Sequence, residues 1–403
     1  MNVATTQKKI KILVLTSSFP RHKEDWWAQF IVNIYKHFPK NKYSITVLTP
    51  HSPNAKFNER FADIQVFRFP YFFPYHLQRL TTGDGILHKS GDFFGKLQVI
   101  SLLVCQTVFL FFHLLQNRYS IIHAHWVLPQ GFQAMIMGSI FSIPYVVTVH
   151  GSDVFGLRRL NFFKSIVLRY AVYCTANSKA TYDQVLKIYQ KTNVKYIPMG
   201  IDTSIFINKK NGKKTGNTIL TVGRLIKCKG IIYALRAMPL IRRQIKDIRL
   251  FIVGAGPEED ALRREVRKLR LNKHVFFYGN LAHSELASLY RSSDVFVAPA
   301  ITDLKTGERE GQGLALIEAM ASGLPVVASR SGGIRYIIKD RITGVLTSEK
   351  DVHALASEIL NILRDKLYAK KLSQAAMKDV RSEYSWEKVS RAFDKLFDTI
   401  GLI

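Results

Sequence analysis

The stretch IRLFIVGAGPEED, Ile248 to Asp260, decides how the chain folds. An unbroken apolar run stops at Gly254-Ala255-Gly256-Pro257, and acidic residues follow at once. Such a run has the character of a strand buried on both faces, as in a parallel sheet. Pro257 suits a first helical turn, and Glu258, Glu259 and Asp260 complement the positive end of a helix dipole. The stretch therefore reads as strand, tight turn, helix. Its Gly-x-Gly lacks the third glycine of a dinucleotide fingerprint. Two readings stay open: a turn that lets a nucleotide approach the backbone, and a purely structural turn.

The same grammar recurs on both sides. TILTVG, HVFFYG, DVFVAP and LPVVAS read as further strands of the second half, with helices near Ile231 to Ile241, Glu258 to Leu269, Ser284 to Tyr290 and Leu314 to Ser322. In the first half KILVLT, YSITVLT, YSIIHAH, PYVVTVH and AVYCTA do the same, with helices at Trp26 to Phe38, Phe132 to Phe141 and Lys179 to Tyr189. Strands alternating with helices mean parallel sheets covered on both faces. Two such passes predict an α/β chain of two Rossmann-like, doubly wound domains, a size that suits 403 residues. The polar, basic run DTSIFINKKNGKKTGNT, Asp202 to Thr218, marks the linker. The expected domains are residues 1–202 and 203–384, and residues 385–403 form a terminal helix with the option of crossing back to the first domain. Ligands of open α/β sheets bind outside the carboxyl ends of the strands, so chemistry is expected in a cleft between the domains.

Lys and Arg number 58 against 30 Asp and Glu, a net charge of +28. That field attracts nucleic acid, anionic lipid or phosphorylated substrates and says nothing about fold. Cys105, Cys174 and Cys228 are far apart with no CxxC pair, which disfavours a disulfide framework or a zinc site and fits a reducing cytoplasm. After Lys8, Lys9 and Lys11 the apolar run Ile12 to Leu15 is shorter than a signal peptide requires and reads as a first strand. Leu97 to Gln116, LQVISLLVCQTVFLFFHLLQ, is long enough to span a bilayer. Its Gln98, Ser101, Gln106, His113 and Gln116 nevertheless fall in one arc of about 140°, with Thr107 opposite. An amphipathic helix, buried or interfacial, is expected rather than a transmembrane one.

Several residues at strand ends carry potential chemistry. In TILTVGRLIKCKG, Gly223 and Arg224 follow a strand, and Lys229-Gly230 precedes the next helix. Two cations there suit a pyrophosphate, although solvated cations in a basic protein look the same. In EREGQGLALIEAM, Glu308 to Met320, Glu310 precedes a helix starting near Gly313, and Glu318 lies more than a turn inside it. The amides of Gly311, Gln312 and Gly313 would point toward a ligand, and a carboxylate such as Glu318 accepts from a vicinal diol, predicted to be a ribose. A further turn, Ser331-Gly332-Gly333, follows LPVVAS. In SIPYVVTVHGSDV, His150 ends a strand and Asp153 follows closely; the histidine suits a sugar hydroxyl, proton transfer or structure. His123 and His125 share one strand face, and packing or substrate contact is favoured over metal binding.

Taken together these pieces resemble the retaining glycosyltransferases of family 4. The resemblance rests on Glu310-x7-Glu318 followed by AlaMetAla-x-Gly, VGRL…KG, TVHGSDV, the NSKA segment Asn177 to Ala180, YIPMGID at Tyr196 to Asp202, FYGNL at Phe277 to Leu281 and Ser385-Trp386-Glu387. It implies the GT-B fold, two Rossmann-like domains facing a cleft, with a nucleoside-diphosphate sugar as donor and no metal or separate cofactor. Arg224 and Lys229 would bind the diphosphate, Glu318 the ribose, and Glu310 with the amides of Gly311, Gln312 and Gly313 the sugar ring. The base would stack near Tyr278 to Leu281, with Gly223 and Gly254 also on the donor side. His150 would reach the sugar from the acceptor side, where Ser18 and Asp153 are also expected. Three departures stand out. The loop SSFPRHKEDWW, Ser17 to Trp27, has no glycine, Met199 replaces the usual Asn before Gly200, and Tyr336 replaces an acid.

The expected activity is transfer of a hexose to a lipid-linked or polysaccharide acceptor in cell-envelope or exopolysaccharide synthesis. The expected place is the cytoplasm, at the periphery of the cytoplasmic membrane, on the strength of the charge, the Leu97–Gln116 helix and the aromatic run FRFPYFFPYHLQRL, Phe67 to Leu80. The rivals are a basic nucleic-acid-binding protein, for which no binding motif is present, and a GT-B sugar-nucleotide epimerase or phosphorylase.

Overall fold

The computed structural model describes residues 9–22, 25, 28–81, 91–206, 214 and 216–401. Lys8, Trp26, Trp27, part of the Ser17–Trp27 loop and the middle of the Asp202–Thr218 linker lie outside the described residues. The chain divides into two units. One holds the residues up to Asn177, Thr181–Ile197 and everything from Glu387 on; the other holds Ser178–Ala180 and Pro198–Trp386.

The first unit is an eight-stranded sheet: β1 (Ile10–Leu15), β2 (Tyr43–Pro50), β3 (Asn58–Phe61), β4 (Ile64–Phe69), β5 (Ile121–His125), β6 (Tyr145–Val149), β7 (Tyr173–Ala176) and β8 (Val194–Tyr196), in the order β3-β4-β2-β1-β5-β6-β7-β8. Every neighbouring pair is parallel except β3 with β4. The winding reverses between β1 and β5, which opens the crevice typical of such sheets at their carboxyl ends. The sequence pattern did not reveal β3, β4 and β8. β3 and β8 are short edge strands with mostly solvent-facing residues, so neither leaves an apolar run, and in β4 polar Gln65 and Arg68 interrupt the run. The helices are α1 (Gln29–Lys36), α2 (Phe93–Gln116), α3 (Phe132–Phe141), α4 (Asn161–Tyr170) and α5 (Lys179–Ile188).

Helix α2 starts at Asp92, whose carboxylate accepts from the Gly95 amide at 2.8 Å. It is long and apolar enough to cross a membrane by length and composition, yet it is the crossover between β4 and β5 and packs on the sheet beside β2 and β4. Its polar arc is turned inward, not toward water as an ordinary amphipathic helix would have it. Gln98 and Gln106 are fully buried, Ser101 Oγ donates to Tyr71 O at 2.5 Å, and His113 Nε2 lies 2.6 Å from Tyr119 Oη. The apolar side, including Ile100, Val104, Val108 and Phe112, is left exposed. The aromatic run before it splits: Phe69, Tyr71 and Leu80 are core residues, and Phe73, Tyr75 and Leu77 are exposed.

The second unit is a six-stranded, wholly parallel sheet: β9 (Thr218–Val222), β10 (Arg249–Val253), β11 (Val275–Gly279), β12 (Val295–Ala298), β13 (Val326–Ser329) and β14 (Val345–Thr347), ordered β11-β10-β9-β12-β13-β14. Its helices are α6 (Ile231–Arg242), α7 (Glu259–Lys268), α8 (His283–Ser292), α9 (Leu314–Ala321), α10 (Val352–Arg364) and α11 (Lys366–Glu383). The continuous apolar run of β10 is explained by its position. Leu250 and Ile252 enter one core with Leu235 and Ile359, while Phe251 and Val253 enter the other with Tyr290 and Ile317. Alternate side chains of a strand point to opposite faces, and here both faces are covered.

The final helix, α12 (Trp386–Gly401), begins against Gly200, where an added Cβ would lie 2.8 Å from the Trp386 ring. From Glu387 it belongs to the first unit. Ser390 Oγ donates to Ile34 O at 2.8 Å, Lys42 Nζ pairs with Asp394 at 2.7 Å, and Phe397 packs edge-on against His123 and Phe38.

Candidate active site

In the second unit the site is built on loops at the carboxyl ends of β9, β10 and β12. The β9 and β10 loops are tied together: Gly223 N donates to Val253 O at 3.0 Å, Leu225 N to Ala255 O at 2.9 Å and Glu258 N to Leu225 O at 2.9 Å. Gly254 has φ 126, and a Cβ there would sit 2.0 Å from Gly223 O. Close packing of two loops therefore accounts for Gly254 and Gly256. That packing gives the structural-turn reading a physical basis, while the donor-side placement of Gly254 remains an expectation of the family resemblance.

Lys229 ends a single 3-10 turn, Lys227–Lys229, and α6 starts just beyond Gly230. Its stem passes over Gly223, where an added Cβ would lie 3.4 Å from Lys229 Cε, and its ammonium forms an ion pair with Glu310. Burial pushes the Glu310 carboxyl up, but Lys229 and then Arg224 outweigh it, so the group titrates below its ordinary value. The nearby Gly313 amide also favours the carboxylate form. Arg224 itself is exposed. Lys229, Glu310, Gly313, Thr221, Pro299 and Ile334 line a small opening beside this ion pair.

The Glu310 loop rests on the Ser331-Gly332-Gly333 turn. Gly333 N donates to Glu310 O at 2.9 Å, and a Cβ on Gly333 would lie 1.8 Å from Gly311 O. Gln312 is 4% exposed, and its side chain brackets the Met199 backbone, accepting from Met199 N and donating to Met199 O, each at 2.8 Å. The Gln312 side chain is thus a structural clamp, whereas the ligand contact expected of Gln312 is through its amide. Glu318 lies inside α9, outside the walls of that opening. Tyr290 Oη lies 3.1 Å from Glu318 Oε2 and 3.0 Å from Ala315 O. Burial pushes the Glu318 carboxyl up to about 7, against the opposing hydrogen bond of Tyr290. No sequence pattern linked Tyr290 to Glu318; they meet because α8 and α9 share a core. Tyr278 ends β11, half exposed and edge-on to Phe251 at 5.3 Å, and Leu281 packs against the core nearby.

In the first unit His150 terminates a hydrogen-bonded chain. Its Nε2 lies 2.9 Å from His125 Nδ1. His125 Nε2 lies 3.2 Å from Tyr35 Oη, which lies 2.6 Å from His123 Nδ1. His123 Nε2 in turn meets Thr148 Oγ1 at 2.6 Å, and Thr148 meets Thr175 at 2.6 Å. Burial pushes His123 and His150 down to about 3 and His125 well below its ordinary value, so all three rings are neutral at pH 7. The shared strand face of His123 and His125 thus serves internal bonding. Tyr35 was not singled out in the sequence, since it sits on the apolar face of α1 and carries no motif. Asp153 is 7% exposed and accepts from the amides of Val127, His150 and Gly151 at 3.0, 3.1 and 3.0 Å. Its oxygens fix the loop that carries His150. Ser18 is half-buried after β1, with its backbone held by Thr16 at 3.2 and 2.8 Å.

Two family models divide the chain between them: Glycosyltransferase Family 4 matches residues 28–205, and Glycosyl transferases group 1 matches residues 202–379. An uncharacterised glycosyltransferase of Methanocaldococcus jannaschii is 30% identical over 298 residues, 68% of this chain and 74% of that protein. Glycogen synthase of Mycobacterium tuberculosis is 28% identical over 293 residues, 70% and 69% of the two chains. Among solved structures, sucrose-phosphate synthase from Thermosynechococcus elongatus superposes with a TM-score of 0.79 at 20% identity, over 97% of this chain and 99% of that one. Anabaena HepE in complex with UDP-glucose superposes with a TM-score of 0.74 at 18% identity, over 97% and 100%. Two parallel-sheet units, each with its polar residues at the strands' carboxyl ends, and these matches lead to one conclusion: the chain is a glycosyltransferase of family 4 with the GT-B fold.

Proposed function

We propose that this enzyme is a retaining, metal-independent hexosyltransferase. It takes its sugar from a nucleoside diphosphate and delivers it to a lipid-linked or polysaccharide acceptor, in cell-envelope or exopolysaccharide synthesis, at the cytoplasmic membrane surface. The observation that carries the proposal is the Lys229–Glu310 ion pair with Arg224 beside it, at the strand-order reversal between β9 and β12. Two cations at that point suit a diphosphate leaving group, whose growing charge they stabilise in the transition state without a metal. Glu310 keeps Lys229 in place before the donor arrives and lies where the sugar ring would follow the phosphates. Glu318 accepts from the ribose hydroxyls. Gly311 and Gly313 shape the loop, and Tyr278 offers a partly exposed ring for the base. His150, neutral and oriented by Asp153 and His125, is suited to hydrogen-bond a sugar hydroxyl. Support for the donor class comes from HepE, which is solved with UDP-glucose. Support for a lipid-linked acceptor comes from a mycobacterial GDP-mannose-dependent phosphatidylinositol monomannoside mannosyltransferase, 29% identical over 207 residues, 49% of this chain and 54% of that protein.

A panel of nucleotide sugars with polyprenyl-linked and oligosaccharide acceptors tests the proposal. Lys229→Ala is expected to lower turnover by about 10²–10³-fold, the usual cost of one donor that stabilises transition-state charge. Lys227→Ala, in the same turn but exposed, should leave it near wild type. Equal activity in both variants, or a product of inverted anomeric configuration, would contradict the assignment.

A further inference from the structure

Helices α2, α3 and α4 are neighbours in the first unit: α2 packs on α3 and α3 on α4, with Phe111 against Phe141 at 5.7 Å and Phe132 against Phe163 at 6.2 Å. Their outward residues are apolar. Phe93, Ile100, Val104, Phe112, Ile140 and Phe162 are each more than half exposed. Polar residues that would ordinarily face water, Gln98, Gln106 and Gln133, are instead buried beneath them. Scattered exposed apolar residues are normal on a soluble protein, but three adjacent helices presenting one such face mark a contact surface.

The charges around that face identify its partner. No Asp or Glu occurs within Phe93–Gln116, Phe132–Phe141 or Asn161–Tyr170. The exposed charges on these helices and the turn leading into α4 are Lys96, Arg158, Arg159 and Arg169. Asp92, at the start of α2, is paired with Arg79. A second copy of the chain docked by a two-fold axis would bring the same positive groups together. An anionic bilayer satisfies both features, taking the apolar side chains at the acyl boundary and the cations at the headgroups.

The placement also has a direction. Helix α2 follows β4 and α4 follows β6, so both begin at the carboxyl edge of the sheet, the edge that carries His150. Phe93 and Lys96 on α2, and Arg158, Arg159 and Phe162 at the start of α4, therefore concentrate aromatic and basic groups at that end, the composition of an interfacial belt. We propose that the outward face of α2, α3 and α4 is the membrane-docking surface, lying in the headgroup–acyl boundary of an anionic bilayer with the His150 edge at headgroup level. An acceptor is then taken as a lipid-anchored amphiphile whose hydroxyl is presented at that level. This deepens, and rests on, the membrane-surface reading above.

The test is flotation of the full-length protein with phosphatidylglycerol–phosphatidylcholine vesicles and with phosphatidylcholine vesicles alone. Wild type is expected to float with the anionic vesicles. The variant I100E/V104E/I140E should lose flotation at any salt, and R158E/R159E should weaken it by about thirtyfold or more, since each basic residue contributes roughly one factor of five. Both should keep wild-type turnover of a water-soluble acceptor. As a milder probe that preserves the fold, Val104→Cys carrying an environment-sensitive dye should shift to the blue only with anionic vesicles. Wild-type flotation by the glutamate variant, or no shift of the dye, overturns the assignment of this face. A dimer in light scattering that the glutamate variant dissociates does so too, giving the face to a second copy. Failure of wild type itself to float refutes the membrane reading as a whole, a distinguishable result.

Discussion

At the scale of single residues the two glutamates of EREGQGLALIEAM have opposite electrostatics. Glu310 is held ionised by Lys229 and Arg224, whereas Glu318 is pushed up to about 7 by burial. A carboxyl whose folded pKa is raised keeps a proton that the unfolded chain would release. Glu318 therefore costs stability progressively as pH rises from its ordinary 4.5 to about 7, and the cost persists above that. A diol needs the carboxylate form, so donor KM is expected to rise as pH falls below about 7. Glu318→Gln should abolish that pH dependence and raise donor KM. It should also melt higher than wild type at pH 8, by roughly 1–3 kcal/mol of stability, and no higher at pH 4. A lower melting temperature at pH 8 would place an uncounted stabilising contact on Glu318.

At the scale of elements, turns and helices are shaped by what they touch elsewhere. Gly333 has an ordinary negative φ of −74, so backbone strain does not require glycine there. Contact does, because its Cβ would strike Gly311 O at 1.8 Å. Gly333→Ala should displace the Glu310 loop, costing about 1–3 kcal/mol by overpacking and lowering donor affinity as well. Gly91→Ala, with nothing within 4 Å of its Cβ, is the neutral control. Thermal melts and donor titrations of the two variants check this, and equal behaviour would refute the cradle. Helix α2 makes the same point on a larger scale. Its length and polar arc could be read from periodicity, but which way the arc faced could not. Periodicity shows that two faces differ; the sheet against which the helix lies decides which one turns inward.

At the scale of the whole molecule the C-terminal helix α12 completes a unit formed otherwise by the start of the chain. Phe397 is wholly buried against Phe38 and His123. Phe397→Ala is expected to destabilise the first unit by about 3–5 kcal/mol, the usual cost of a large core truncation, measured by urea unfolding of the full chain. A loss below about 1 kcal/mol would mean that α12 adds little to that core. The chain passes from the first unit to the second between Ile197 and Pro198, while the sequence put the division at residue 202. The linker is recognised by its polarity, and that polarity begins only after the chain has already entered the second unit.

The sequence by itself determined the α/β class, two sheets and the carboxyl-edge location of Gly223, Lys229, Glu310 and His150. Each follows from local facts, since an apolar run buried on both faces must end in a turn, and that turn carries the polar residues. The tertiary structure alone decided which of them meet. Lys229 and Glu310 are separated by 81 positions, and Tyr290 reaches Glu318 only because two helices share a core. Asp153 and Gln312 clamp backbone groups through their side chains. Pairing of this kind depends on chain topology and burial, which bring distant residues within hydrogen-bond reach and which no local pattern encodes.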